Sequence, residues 1–186
     1  MEIMPGQMII LQGGEDLNRR TNAFLFRKLA EISTTKNILV IGWTTDSAES
    51  EAKYRNVFRQ YFSESGFSGV IFLDRNDDEK TIHRKLSTVD VLYLAGGDPD
   101  ILIRDLDAKS IYPLMKNFKG TIIGNSAGAI VISKGMFLKD RLYRGYGMVD
   151  FFVTVHYRLG TDESYPGKNT PETLNIPEDM WICVYR

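Results

Sequence analysis

The sequence predicts an α/β protein in which a doubly wound, mostly parallel sheet lies between two layers of helices. Short, continuous apolar runs alternate along the chain with segments whose apolar residues recur at helical spacing. Such a run is typical of a parallel strand buried on both faces, and several of the runs end at glycine turns. Parallel neighbours need a covering crossover element, so the intervening helices are expected on both faces of the sheet.

The first half of the chain contains two predicted strand–helix pairs. The apolar run 8–11 ends at Gly13-Gly14 and predicts the first strand, and the run 38–41 predicts the second. Helices are predicted over 16–33 and 47–62. Their apolar residues at helical spacing are Phe24, Leu25, Leu29 and Ile32 in the first segment and Tyr54, Val57, Phe58 and Tyr61 in the second.

The alternation continues through the second half. Strands are predicted over 70–73, 89–94 and 120–124, and short helices over 78–86, 100–106 and 111–118. The run 149–155 predicts a later strand, whereas 44–50, 137–146 and 159–175 are expected to be irregular. Because no linker, repeat or low-complexity tract interrupts the pattern, we expect a single domain over residues 1–186.

Composition excludes several classes of function. With 43% hydrophobic and 25% charged residues the chain is typical of a globular protein, and its net charge of -1 makes nucleic acid and membrane surfaces unlikely partners on electrostatic grounds. The single cysteine, Cys183, excludes an internal disulfide framework and a multi-cysteine zinc site. We expect a cytoplasmic protein without metal or cofactor, and the segment Met1 to Leu11 is predicted to be a strand rather than a signal peptide.

The segment 121–132 has the pattern of a nucleophile elbow. A predicted strand leads into Gly124-Asn125-Ser126-Ala127-Gly128, and a predicted helix follows. Glycines two positions before and after the serine allow the helix to approach the strand closely, while the hydroxyl projects over the sheet edge. Ser126 is therefore the candidate nucleophile. The candidate oxyanion donors are the amide of Ala127 and, in the Gly96-Gly97 turn, the amide of Gly97.

A serine nucleophile needs a base, and the sequence contains two histidines. His83 lies in a charged helical segment and is interpreted as a surface residue. His156 follows the apolar run 149–155 at a predicted strand end, so it is the candidate base. The alternative is a Ser–Lys dyad through Lys134, but a lysine base has to be desolvated, and Lys134 lies between Ser133 and Gly135.

An acid is expected to orient the imidazole. Asp140 lies between nucleophile and base in a predicted loop and is the first candidate. Position alone does not decide between it and the other carboxylates of this part of the chain, which are Asp150, Asp162, Glu163 and Glu178.

These motifs resemble the peptidase E and cyanophycinase family of serine peptidases. The shared features, in order, are the Gly96-Gly97-Asp98 turn, the elbow around Ser126, the Val155-His156-Tyr157 step and a late Ile176-Pro177-Glu178 segment that leads into Trp181-Ile182. The resemblance implies a fold like that of class I glutamine amidotransferases, with serine in place of their cysteine. It also implies cleavage of a peptide bond next to an aspartyl residue, and it favours Asp140 as the acid.

The resemblance also bears on the substrate. It implies substrate contacts at the turn that holds Asp98, although Pro99 departs from the family pattern there. Arg158 lies two residues beyond His156, on the same side of an extended segment, and is expected to bind the acidic group of a short peptide. The expected assembly is a monomer or a homodimer.

Two other functions remain open. An α/β-hydrolase esterase shares the elbow and the order serine, acid, histidine, but no His-Gly-Gly oxyanion segment is present. A non-catalytic module could use Gly13-Gly14 and Gly96-Gly97 to hold a nucleotide or another ligand. Neither pair belongs to a P-loop or a Gly-x-Gly-x-x-Gly motif, so this signal is weaker.

Overall fold

The computed structural model describes residues 6–138, 141–158 and 172–186. In these ranges the strands are β1 (Met8–Gln12), β2 (Asn37–Ile41), β3 (Gly69–Phe72), β4 (Val91–Leu94), β5 (Thr121–Asn125), β6 (Gly135–Leu138), β7 (Arg141–Arg144), β8 (Phe152–Tyr157), β9 (Thr173–Pro177) and β10 (Trp181–Tyr185). The helices are α1 (Ala23–Ile32), α2 (Ala48–Glu64), α3 (Glu79–Ser87), α4 (Pro99–Ala108), α5 (Ile111–Asn117) and α6 (Ala127–Ile132).

The central sheet has the strand order β10-β1-β5-β4-β2-β3 in the described part of the chain. Its first five strands in sequence, β1 to β5, pair in parallel, and β10 pairs antiparallel with β1 at one edge. Strands β6 and β7 form an antiparallel hairpin, and β8 pairs in parallel with β9. The carboxyl ends of β1, β4 and β5 therefore lie side by side.

Successive strand residues pack into two different cores. In β2, Leu39 and Ile41 belong to a cluster that includes residues of α3 to α6, whereas Ile38 and Val40 pack with residues of α1 and α2. Because side chains alternate across a strand, continuous apolar runs supply both clusters at once. The predicted three-layer, mostly parallel fold of the class I glutamine amidotransferase type is confirmed.

Some elements differ from the prediction. The predicted irregular stretch 137–146 contains part of the β6–β7 hairpin. The first helix begins at Ala23 rather than near Asp16, because the Asp16 carboxylate accepts hydrogen bonds from the amides of Asn18 and Arg19 and holds a turn there. None of the helices in the described ranges has the length and apolar character to cross a bilayer.

Candidate active site

Ser126 lies in the turn between β5 and α6, at the carboxyl edge of the sheet. Its backbone has φ 48° and ψ -104°, a conformation that L-residues rarely adopt. A methyl group on Gly124 would lie 2.5 Å from the carbonyl carbon of Gly128, and one on Gly128 would lie 2.9 Å from that of Leu94. Only glycine allows this approach of helix to strand, so the turn has the predicted geometry of a nucleophile elbow.

His156 is in hydrogen-bond contact with Ser126. The distance between Ser126 Oγ and His156 Nε2 is 2.7 Å. His156 lies where the pairing of β8 with β9 is irregular, and its φ of 54° places it in the left-handed region. Its amide donates to the carbonyl of Gly13 (2.7 Å), so the turn after β1 fixes the backbone that carries the imidazole.

The second ring nitrogen of His156, Nδ1, contacts the Glu178 carboxylate. Glu178 follows β9 in a turn that is tied to the Gly13-Gly14 turn. The amide of Gly13 donates to Met180 O (3.0 Å), and the amide of Asp179 donates to Gly14 O (3.1 Å). The structure therefore aligns serine, histidine and glutamate in hydrogen-bonding order.

The first candidate acid, Asp140, lies outside the described residues, as do Asp162 and Glu163. Asp150 is 2.5 Å from the ammonium of Lys134, so these two alternative candidates for acid and base pair with each other. His83 lies on α3 beside Glu79, at 3.8 Å, and does not line the cleft that contains Ser126.

Both candidate oxyanion donors lie beside Ser126. Ala127 is the first residue of α6, and Gly97 lines the same cleft as the serine. Gly97 has φ 136°, and a methyl group there would lie 2.5 Å from Thr44 Oγ1. Thr44 also donates its hydroxyl to Gly96 O (2.8 Å) and accepts from the Asp98 amide at its carbonyl (3.1 Å). The loop after β2 therefore holds the glycine turn in position.

The two predicted substrate-binding residues do not line this cleft. Asp98 is the N-cap of α4, where its carboxylate accepts from the amides of Asp100 (2.8 Å) and Ile101 (3.3 Å). Pro99 at the first helical position fits this role, because its ring is preorganised for a helix start. Arg158 is an exposed residue just after β8.

The cleft itself has a volume of about 440 Å³. It is also lined by residues for which the sequence predicts no role in a site, namely Glu15, Leu17, Thr45, Ser50, Tyr54, Phe58 and Asn125. Glu15 directly follows the Gly13-Gly14 turn, a position that does not by itself distinguish it from a solvated carboxylate. Its pKa is raised to about 7, chiefly by burial, while hydrogen bonds from Tyr61 and from the Asn22 amide act in the opposite direction.

The described residues contain no group of three or more His, Cys, Asp or Glu side chains arranged to hold a metal ion. The contacts at the site provide acid–base chemistry. The hydroxyl of Ser126 contacts the imidazole of His156, and the Glu178 carboxylate contacts the other nitrogen of that ring.

Comparison with known proteins identifies the family. The profile of Peptidase family S51 matches residues 8–179. The fold resembles that of a peptidase from an acI-B1 Actinobacterium, with a TM-score of 0.76 and 18% identity over 96% of this chain and 83% of that one. It also resembles a putative peptidase E from Listeria monocytogenes EGD-e, with a TM-score of 0.62 and 19% identity over 82% of this chain and 80% of that one.

A search of curated proteins found no match to the sequence. The structural likenesses, at these identities, show the fold alone. The family profile spans nearly the whole chain. The chain therefore belongs to Peptidase family S51, and the protein is a peptidase.

Proposed function

We propose that this peptidase is a serine peptidase that cleaves short peptides through an acyl-enzyme on Ser126. The observation that carries the proposal is the 2.7 Å contact between Ser126 Oγ and His156 Nε2, with Glu178 on the other ring nitrogen. We assign the orienting role to Glu178 in place of Asp140, because the Nδ1–H of a neutral imidazole has to be held for Nε2 to accept the serine proton.

The proposed reaction has two halves. As Oγ attacks the scissile carbonyl carbon, its proton moves to His156 Nε2, and the Glu178 carboxylate stabilises the resulting imidazolium. The amides of Ala127 and Gly97 donate to the developing oxyanion. The C–N bond then breaks as His156 returns the proton to the leaving amine. A water molecule, deprotonated by His156, hydrolyses the ester and regenerates the serine hydroxyl.

For the substrate we propose a short peptide with an N-terminal aspartyl residue. The support is the resemblance to peptidase E. Arg158 lies two residues beyond the base, outside the lining of the cleft, and we propose that it binds the substrate carboxylate from there. A guanidinium can bind a carboxylate through paired hydrogen bonds, each of the charged kind worth roughly 1.5 to 3 kcal/mol.

The test combines a fluorophosphonate probe with two dipeptides, Asp-Leu and Ala-Leu. The wild-type protein is expected to be labelled at Ser126 and to prefer Asp-Leu. Ser126→Ala should abolish labelling and lower turnover by several powers of ten, because loss of a triad member has that effect. Arg158→Ala should lower kcat/KM for Asp-Leu by about tenfold to a hundredfold and leave Ala-Leu nearly unchanged.

His83→Ala is the matched control for the base, because it removes the other histidine without touching the cleft. It should retain labelling and turnover, whereas His156→Ala should lose both. An unlabelled wild-type protein would indicate a non-catalytic ligand-binding module, and full activity of a folded Ser126→Ala variant would exclude the acyl-enzyme. Equal turnover of both dipeptides would exclude the aspartyl preference alone.

A further inference from the structure

Glu15 is an acidic side chain inside the proposed active-site cleft that the serine chemistry does not use. The hydroxyl of Tyr61 and the amide of Asn22 (3.0 Å) both donate to Glu15 Oε1. The other oxygen, Oε2, is inaccessible to solvent and has no hydrogen-bond partner among the described residues. A buried carboxylate oxygen without a donor is costly, so its presence in a cleft calls for a cationic or donor ligand.

Asn125 supplies a second acceptor in the same cleft. Its Oδ1 is likewise buried and lacks a partner in the described part of the chain. Glu15 and Asn125 both influence Tyr93: burial raises the pKa of this phenol most, the charge of Glu15 raises it further, and Asn125 acts in the opposite direction. Asn125 is also paired with Gln12 across β5 and β1, three residues before Glu15, and Ser126 follows it directly.

The charge of the cleft favours a cation. Glu15 is its acidic residue, and no lysine or arginine is found among the described residues that line it. A primary ammonium carries three donors and no acceptor, which matches a carboxylate oxygen and an amide oxygen that both lack donors. Because burial raises the pKa of Glu15 to about 7, a bound cation would also restore its charged form at neutral pH.

Glu15 lines the same cleft as Ser126 and His156, one residue beyond the turn that contacts the imidazole. A methyl group on Gly14 would lie 2.5 Å from both His156 Nδ1 and Glu178 Oε2, so the chain passes the Nδ1 side of the imidazole just before Glu15. In a peptide cleaved after its first residue, the α-nitrogen is about 2.5 Å from the scissile carbonyl carbon, given standard bond lengths. We place the amino-terminal ammonium in this cleft, which Glu15 and Ser126 both line.

We propose that Glu15, with Asn125 beside it, binds a primary ammonium group of the substrate. This inference rests on the proposed function, and it adds the group that selects the peptide. The ammonium can come from a free amino terminus or from a lysine side chain. The position of Glu15 next to the Ser126–His156 pair favours the amino terminus.

The test measures binding of three probes without a scissile peptide bond by calorimetry. Alaninol carries an α-ammonium, N-acetylalaninol carries no cation, and Nα-acetyl-lysinol carries the side-chain ammonium alone. Wild-type protein is expected to bind alaninol about tenfold to a hundredfold more tightly than N-acetylalaninol, the range expected of a charged hydrogen bond. Glu15→Gln keeps an acceptor for Tyr61 and Asn22, and it should reduce this preference to less than about threefold.

Two further variants separate the charge of Glu15 from its effect on folding. Glu15→Asp keeps a carboxylate and should retain part of the preference for alaninol. Glu79→Gln, which removes an exposed carboxylate on α3, should retain all of it. Circular dichroism establishes that each variant is folded.

Each outcome decides the inference. A preference of wild-type protein for Nα-acetyl-lysinol that Glu15→Gln removes would assign the site to a lysine side chain. Equal affinity of wild-type protein for all three probes, or a preference that survives in Glu15→Gln, would overturn the proposal. Fluorophosphonate labelling of wild-type protein is read separately: a binding preference without labelling refutes the serine mechanism alone, and labelling without a preference refutes the role of Glu15 alone.

Discussion

Glu178 reaches His156 from 22 residues further along the chain. The sequence offers five candidate carboxylates, and their order along the chain favours Asp140, which lies between nucleophile and base, over Glu178. What selects Glu178 is its turn, in which hydrogen bonds join Asp179 and Met180 to the Gly13-Gly14 turn. Ser126, His156 and Asp179 all have positive φ, and backbone strain of this kind persists where surrounding contacts enforce it.

The assignment of the acid predicts different effects for two variants. Glu178→Gln should lower kcat by about a thousandfold or more, because an amide NH₂ facing Nδ1 favours the wrong imidazole tautomer and cannot stabilise the imidazolium. Asp140→Asn should stay within about twofold of wild type. Steady-state kinetics on the preferred dipeptide measure both, and the reverse result would return the role to Asp140.

At the scale of elements, the periodic part of the fold could be predicted and the pairing of short segments could not. Strands β1, β2, β4 and β5 are apolar runs buried on both faces, and this pattern identifies a parallel strand whatever surrounds it. The β6–β7 hairpin and β9 lack that signal because they are only partly buried. Their strand character depends on partners that only the folded chain brings together.

The residues of the site likewise divide into those that local sequence predicts and those that only the folded chain brings together. The elbow around Ser126 is a local sequence motif, and His156 directly follows the apolar run 149–155. Both residues could therefore be predicted from their neighbours in the sequence. Glu15 and Glu178 belong to two turns that meet only in the folded chain, and nothing local distinguishes their carboxylates from solvated ones. Gly14 is the point of contact between these turns.

Gly14→Ala should therefore impair catalysis without disrupting the sheet. Its φ of 150° and the 2.5 Å separation of the new methyl group from His156 Nδ1 would displace the ring from Ser126. We expect kcat to fall by about a hundredfold or more, with a loss of about 1–3 kcal/mol in the free energy of unfolding. Gly42→Ala is the matched control, because a methyl group there has no atom within 4 Å among the described residues. It should change neither quantity appreciably, and equal damage in the two variants would contradict the role of the turn.

For the whole molecule, the doubly wound topology explains why these distant segments meet. The carboxyl ends of parallel β1, β4 and β5 lie at one edge of the sheet. The turn after β1 supplies Gly14 and Glu15 to the cleft, the turn after β4 supplies Gly97, and the turn after β5 supplies Ser126. The turn after β9 adds Glu178 from outside the sheet. The proposed binding of an ammonium group at this edge has an energetic cost. It places the carboxylate of Glu15 in a buried position, where the charged form is disfavoured and the pKa is raised.

The carboxylates predict how stability depends on pH. Burial alone would raise the pKa of Asp90, but hydrogen bonds from Ser33, Thr34 and Thr35 outweigh it and hold the pKa below its ordinary value of 3.8. Arg55 and Lys85 do the same against burial for Asp74, and Arg104 and Arg75 for Asp105. Such groups stabilise the fold above their unfolded pKa, and this contribution is lost as the pH falls through their folded values.

Glu15 acts in the opposite direction. Its folded pKa of about 7 lies above the ordinary 4.5, so the folded state binds more protons than the unfolded chain between these values, and stability declines as the pH rises from 4.5 through 7. We therefore expect thermal stability to be highest in mild acid. Glu15→Gln should match wild type near pH 5 and exceed it by about 2–3 kcal/mol, or roughly 5–10 °C in Tm, near pH 8. Thermal unfolding followed by circular dichroism from pH 3 to pH 9 measures the loss of stability on the acidic side and the decline toward pH 8. Glu79→Gln is the control and should keep the wild-type profile. A decline toward neutral pH that persists in Glu15→Gln would show that another group causes it.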